Sequence, residues 1–210
     1  MAKSKTKRKT KAGKQAVAEE QAPSAPPRPR FGARQALYSV ALGLALLGGW
    51  SIWQAQQCEA SFMEQASLGE ARLAEVQTMQ DYGRGHLAPG QNQRYRDRFP
   101  TSGPHAPTWT EPGFYDVQPG DIHLVHALEH GNVVIYYDEP PADALSTLKL
   151  WGDLYSGMWS GLVVARRRGL GEEVVMTAWR RVLRLKSFDE PTAAAFIDRY
   201  RGRGPENPVR

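Results

Sequence analysis

The hydrophobic pattern changes character several times along the chain. From Ala36 to Trp53 the segment ALYSVALGLALLGGWSIW is apolar on every side, and no charged residue stands between Arg34 and Glu59. Its length corresponds to roughly 27 Å of helix, close to the thickness of a bilayer core. A helix packed in a soluble core would keep a polar stripe, and none is present. A transmembrane helix over 36–53 is therefore expected, with Trp50 and Trp53 at one interface. Residues 54–83 follow with apolar positions at Phe62, Ala66, Gly69, Leu73 and Val76, alternating steps of four and three. This predicts an amphipathic juxtamembrane helix lying on its own domain. The same positions read as a heptad would make a short coiled-coil homodimer, which Gly69 and the small residues weaken.

Residues 81–121 carry APGQ, FPTSGPHAP, EPGFYD and QPGD, too many turn formers for long elements. The aromatics Tyr95, Phe99, Trp109, Phe114 and Tyr115 point to an ordered wrapping loop. Beyond it, VVIYY (133–137) is a β-branched and aromatic strand, and PADALSTLKLWGDLY has helical spacing. GLVVARR and EEVVMTAWRRVLRL read as strands, with Gly169 and Gly171 between them as hairpin material. EPTAAAFIDRYRG starts with Pro191 near a helix amino end and stops at Gly202. The expected fold is α+β: a small mixed or antiparallel sheet with helices on one face, the last two strands paired antiparallel. A loop-rich segment and the amino-terminal transmembrane helix precede it. The domain proper is expected over 84–207.

Charge locates the ends. Residues 1–34 hold ten Lys/Arg against two Asp/Glu, whereas the rest holds seventeen against twenty. The basicity belongs to a tail, polar and then Pro-rich, whose composition reads as disordered. A nucleic-acid-binding domain would carry its basic patch on the fold, so nucleic acid is not an expected partner. Basic residues before the apolar helix put that end in the cytoplasm. The long preceding region and the lack of an A-x-A site at WQAQQC favour an uncleaved signal anchor. The expected location is the cell (inner) membrane, single-pass, with the carboxyl-terminal domain extracytoplasmic. Cys58 is the sole cysteine, which excludes an internal disulfide and CxxC chemistry.

All the histidines, His86, His105, His123, His126 and His130, fall within 45 residues. Neutral imidazoles with a carboxylate can hold zinc or copper. HALEH matches the H-x-x-E-H spelling of inverted zinc proteases, in which the glutamate activates water. That chemistry needs a helix. QPGD upstream and a strand after Gly131 leave room for one turn or a little more, or for an extended segment. Ser102 near His105 lacks a G-x-S-x-G elbow. Met158 and Met176, conceivable soft copper ligands, sit in strand-like or apolar surroundings that suit core packing.

The blocks HLAPGQ, FPTSGPH, GFYD, LVHALEHGNVVIYY, VVMTAW and FIDRYRGRGPE together resemble the bacterial domain-of-unknown-function 3105 family, over about residues 84–207. The resemblance implies a single anchor and an extracytoplasmic domain and carries no established activity. Carried over by position, its motif residues are His86, His105, His126, His130 and Glu129, with His123 outside the motif. Two departures stand out. Phe99 replaces the first proline of the PPTSGPH block, and Ile122 stands where the family often has a carboxylate, with Asp121 one step away.

Three functions follow. The first is a membrane-anchored domain binding a transition metal through His86, His105, His126 and His130, with Glu129 as a further ligand or as the acceptor that fixes an imidazole tautomer. Copper stands ahead of zinc, by the Irving–Williams order and by exposure outside the cytoplasm. The second is a metal-dependent hydrolase or oxidase with Glu129 as base. The third is a non-metal interaction module anchored in the membrane, in which the histidines cap turns and Trp109, Tyr115 and Trp179 make a binding or packing surface, with a partner membrane protein or a homodimer as the partner.

Overall fold

The computed structural model describes residues 32–210; most of the expected tail, up to residue 31, lies outside the described residues. Two compact units divide at Ala45/Leu46. The described part of the first is helical. It belongs to α1, Ala33–Gly69, whose residues Leu37, Leu42 and Leu44 are exposed. The helix contains an 18-residue window of mean hydropathy 1.5 with no buried residue, long and apolar enough to cross a membrane.

The second unit is built on a mixed six-stranded sheet in the order β1-β8-β7-β5-β6-β4. Its strands are β1 (Gln77–Thr78), β4 (Gly113–Tyr115), β5 (Val133–Tyr137), β6 (Leu162–Arg166), β7 (Val174–Ala178) and β8 (Arg181–Leu185). A separate parallel pair joins β2 (Arg84–His86) to β3 (Gly103–His105). The helices are α2 (Asp121–His130), α3 (Ala142–Leu154) and α4 (Glu190–Tyr200). The expected α+β class therefore holds, but helices cover both faces of the sheet and not one, and the strand order was not foreseen. Gly169 and Gly171 do not close a β6–β7 hairpin; β5 lies between those strands, parallel to β6 and antiparallel to β7. The crossover through α3 gives β5 and β6 a parallel pairing, and β7 then takes the free edge of β5. The antiparallel hairpin lies further on, where EEVVMTAWRRVLRL splits into β7 and β8. Its connection is Trp179–Arg180, with Arg180 at φ +60°. Thr101 of the TSGPH loop accepts the Arg180 backbone N–H at 3.1 Å, which ties the loop segment to the sheet.

β5 is buried along its whole length, as expected of a strand covered on both faces. Val133, Ile135 and Tyr137 join a core with Phe62, Leu148, Trp151, Phe196 and Ile197, contributed by α1, α3 and α4. Phe62 and Ala66 of α1 are thus spent on this domain, and Gly69 lets Pro191 approach: an added Cβ would stand 2.0 Å from its carbonyl oxygen. Val134 and Tyr136 point to the other face, where Leu124, Ala127 and Leu128 of α2 pack with Phe99, Val163 and Val175.

Candidate metal centre

The segment containing HALEH is a ten-residue helix, longer than its neighbours suggested. The reason lies at its ends. Gly120 is extended and Asp121 of QPGD is already the first helical residue, an acid where the helix dipole favours one. At the other end Gly131 adopts φ +101°, the left-handed cap that lets β5 start two residues later. Asn132 secures that turn by accepting the Gly161 N–H at 2.7 Å. The apolar residues of α2 face the sheet. His126, Glu129 and His130, at spacings of three and four, share the opposite side.

Against that side lie β2 and β3. Their parallel register pairs His86 directly with His105. The ring centroids of His86, His105 and His126 stand 4.8–5.3 Å apart. One donor atom from each of His86, His105, His126 and Glu129 can be chosen so that all lie within 4.8 Å of one another. A second group, by the same measure, joins His126 and His130 to Glu206. Of the expected residues, four are thus together and His130 belongs to the adjoining group. His123 is elsewhere, its Nδ1 2.8 Å from the Thr108 carbonyl. Glu206 was missed; its sole trace in the sequence is the terminal GPE of the family pattern.

Hydrogen bonds decide which ring nitrogens are free. His105 Nδ1 lies 2.8 Å from the Gly103 carbonyl and His126 Nδ1 2.8 Å from the Ala106 carbonyl. A carbonyl only accepts, so each Nδ1 carries the hydrogen and each Nε2 keeps its lone pair in the neutral ring. Burial pushes His126 down to about 4, against the Ala106 hydrogen bond and with the neighbouring histidines adding to the shift. Burial likewise lowers His130, opposed by Glu206 and Glu129. His105 Nε2 and a Glu129 oxygen approach to 2.9 Å. The contact is an ion-pair distance and not a hydrogen bond: a hydrogen on Nε2 would miss the oxygen, and the nitrogen is buried without a partner.

Glu206 Oε2 lies 3.2 Å from His130 Nε2 and 3.9 Å from His126 Nε2. Its segment is docked on the carboxyl end of α2: Gly202 donates to Gly131 at 2.8 Å and Glu206 donates to Glu129 at 3.3 Å. An added Cβ at Gly204 would stand 2.2 Å from the Glu129 carbonyl oxygen, so only glycine permits this approach. Trp109 and Trp159 pack on the His130 ring, with centroids 4.7 and 4.2 Å away. An open cleft of about 370 Å³ leads in from solvent between Arg84, His86, Glu129 and Glu206.

Other candidates fall outside both groups. Ser102 accepts the Tyr82 N–H at 3.0 Å and donates to the Gln80 carbonyl at 3.2 Å, a loop tie. Met176 is in the apolar core and Met158 is exposed. Asp121 pairs with Arg167 at 2.6 Å. Phe99, in place of the family's proline, is ringed by Arg98, Arg167 and Arg184 at 5.4–5.6 Å.

The fold and site thus define a histidine- and carboxylate-lined centre able to hold a metal ion, in a chain with a helix able to anchor it. The profile of a family described as "Protein of unknown function (DUF3105)" matches residues 86–210, and the chain belongs to that family. No curated protein and no solved structure matches the chain.

Proposed function

We propose that this is a single-pass membrane protein whose extracytoplasmic domain binds one transition-metal ion, copper ahead of zinc, on His86, His105, His126 and Glu129. The observation that carries the reading is the approach of His105 Nε2 to the Glu129 carboxylate at 2.9 Å. The two groups lie close without a hydrogen bond, with Arg84 4.0 Å from the other Glu129 oxygen, and a metal ion bound to both would satisfy them. The carbonyls on Nδ1 of His105 and His126 orient the rings as ligating histidines are usually oriented, by holding the far nitrogen. Bonds of about 2.0–2.1 Å in a tetrahedron place donors roughly 3.3 Å apart, so the wider contacts of the group would close on loading and the His105–Glu129 contact would open slightly.

The anchor reading rests on the exposed apolar helix. The basic segment before it supports a cytoplasmic amino terminus. The test is the metal content of the full-length chain purified in detergent after reconstitution with copper or zinc. About one equivalent that is lost in His105→Ala supports the proposal; less than about a tenth of an equivalent overturns it.

A further inference from the structure

We infer that this centre has two mutually exclusive ion positions sharing His126: an inner one with His86, His105 and Glu129, and an outer one with His130 and Glu206. The inference rests on the metal-binding reading and concerns where the ion can go. His126 belongs to both donor groups. Its Nδ1 is committed to the Ala106 carbonyl, so it offers a single lone pair, on Nε2. One lone pair serves one ion. A bridging imidazolate would require the hydrogen that Ala106 holds. Two ions therefore do not reside together as a dinuclear pair; a single ion moves between the positions while His126 stays bound.

The exchange is balanced in charge. Each position contributes one carboxylate, Glu129 inside and Glu206 outside, so an ion that moves leaves one anion and meets another. The positions are unequal in support. His105 has its Nδ1–H satisfied by Gly103, whereas His130 Nδ1 is buried without a partner. Ligation through His130 Nε2 leaves a buried N–H unsatisfied, which makes the outer position the weaker one. They do not differ in access: each has one exposed ligand, His86 in the inner position and Glu206 in the outer, and both line the same open cleft. A well-supported position beside a weaker one on the same open cleft is the arrangement of a site that passes its ion on. Glu206 and His130 are then the route by which the ion leaves to an acceptor. The backbone ties of residues 202–206 to α2, and the two tryptophans on His130, hold that route in place.

The test uses the full-length chain in detergent with Cu(II), counting bound equivalents and following transfer of the ion to excess EDTA by stopped flow. Glu206→Gln is a mild change at an exposed side chain; His130→Asn is the second variant, with melting curves to establish that each is folded. The expected result is about one equivalent in wild type and in Glu206→Gln, with transfer slowed about tenfold or more in the variant. Two equivalents in the wild type, or transfer from folded Glu206→Gln at the wild-type rate or faster, overturns the two-position inference while leaving a metal site standing. A wild-type chain that binds no copper overturns the metal-binding reading beneath it, a separate and recognisable outcome.

Discussion

The two faces of the central sheet are both buried, yet they are put together differently. One is closed by α1, α3 and α4 with apolar side chains throughout, from Phe62 and Trp151 to Phe196. The other is closed by α2, whose inner side is equally apolar but whose outer side carries His126, Glu129 and His130. The ten-residue helix becomes a platform because the sheet takes one side of it and the β2–β3 pair takes the other. The contrast separates residues that hold the fold from residues that the fold holds.

That separation is open to direct attack. Phe196, fully buried on the apolar face, should cost about 3–5 kcal/mol when cut to alanine, because the cavity adds to the lost transfer energy. Urea denaturation measures it, and the metal content of the folded fraction should not change. If it did, the two faces would be coupled.

Acid should act next, and first on the site face. His126 sits near 4 in the native chain against 6.5 for an ordinary histidine. Between those values the unfolded chain binds a proton that the native chain refuses. Stability of the metal-free protein is therefore full above about 6.5 and falls by roughly 3 kcal/mol as the pH drops to about 4. Melting curves across that range check it, and His126→Asn should flatten the slope.

Glu129→Gln should move two quantities in opposite directions. The uncharged amide no longer sets a carboxylate against the His105 Nε2 lone pair, so the metal-free chain should gain about 1 kcal/mol. Metal affinity should drop by at least about ten- to a hundredfold, the loss that removing even a partner of a ligand causes. A loss in both would mean that the carboxylate supports the fold and not an ion.

The smallest effect belongs to the apolar face. Asp189 caps α4 by accepting the Thr192 N–H at 3.1 Å, and Asp189→Ala should cost about 1 kcal/mol with metal binding untouched. The Thr192 hydroxyl and N–H, with Arg72 nearby, hold the Asp189 carboxyl below its usual range. Its contribution is thus complete above the ordinary carboxylate pKa and lost only as the pH falls through the lowered native value. The two faces should then yield to acid in different ranges, the site first.

The elements of the apolar face were legible because their signals are local. VVIYY, the α3 spacing and the Pro191 start of α4 each announce themselves within a dozen residues. The order of strands was not, since Gly169 and Gly171 suit a hairpin as well as the wider connection they make, and pairing is settled by the α3 crossover. The histidines were named from sequence, but α2 was read too short, because glycine stands just outside both of its ends and ten residues carry little periodicity. Glu206 left almost no trace: a single acid in a Pro/Gly segment becomes informative only when Gly204 is seen pressed against Glu129.

The parallel pairing of His86 with His105 sets different rules for evolutionary drift on either side of it. Between them, residues 88–92 are exposed, in a loop whose entropic cost grows only slowly with length, so insertions there are cheap. A single residue gained or lost inside Arg84–His86 or Gly103–His105 turns a ring to the wrong side of the ribbon. Homologous domains can therefore be expected to vary widely in the distance between these two histidines while keeping the few residues around each, and a search keyed to fixed spacing would pass over genuine relatives.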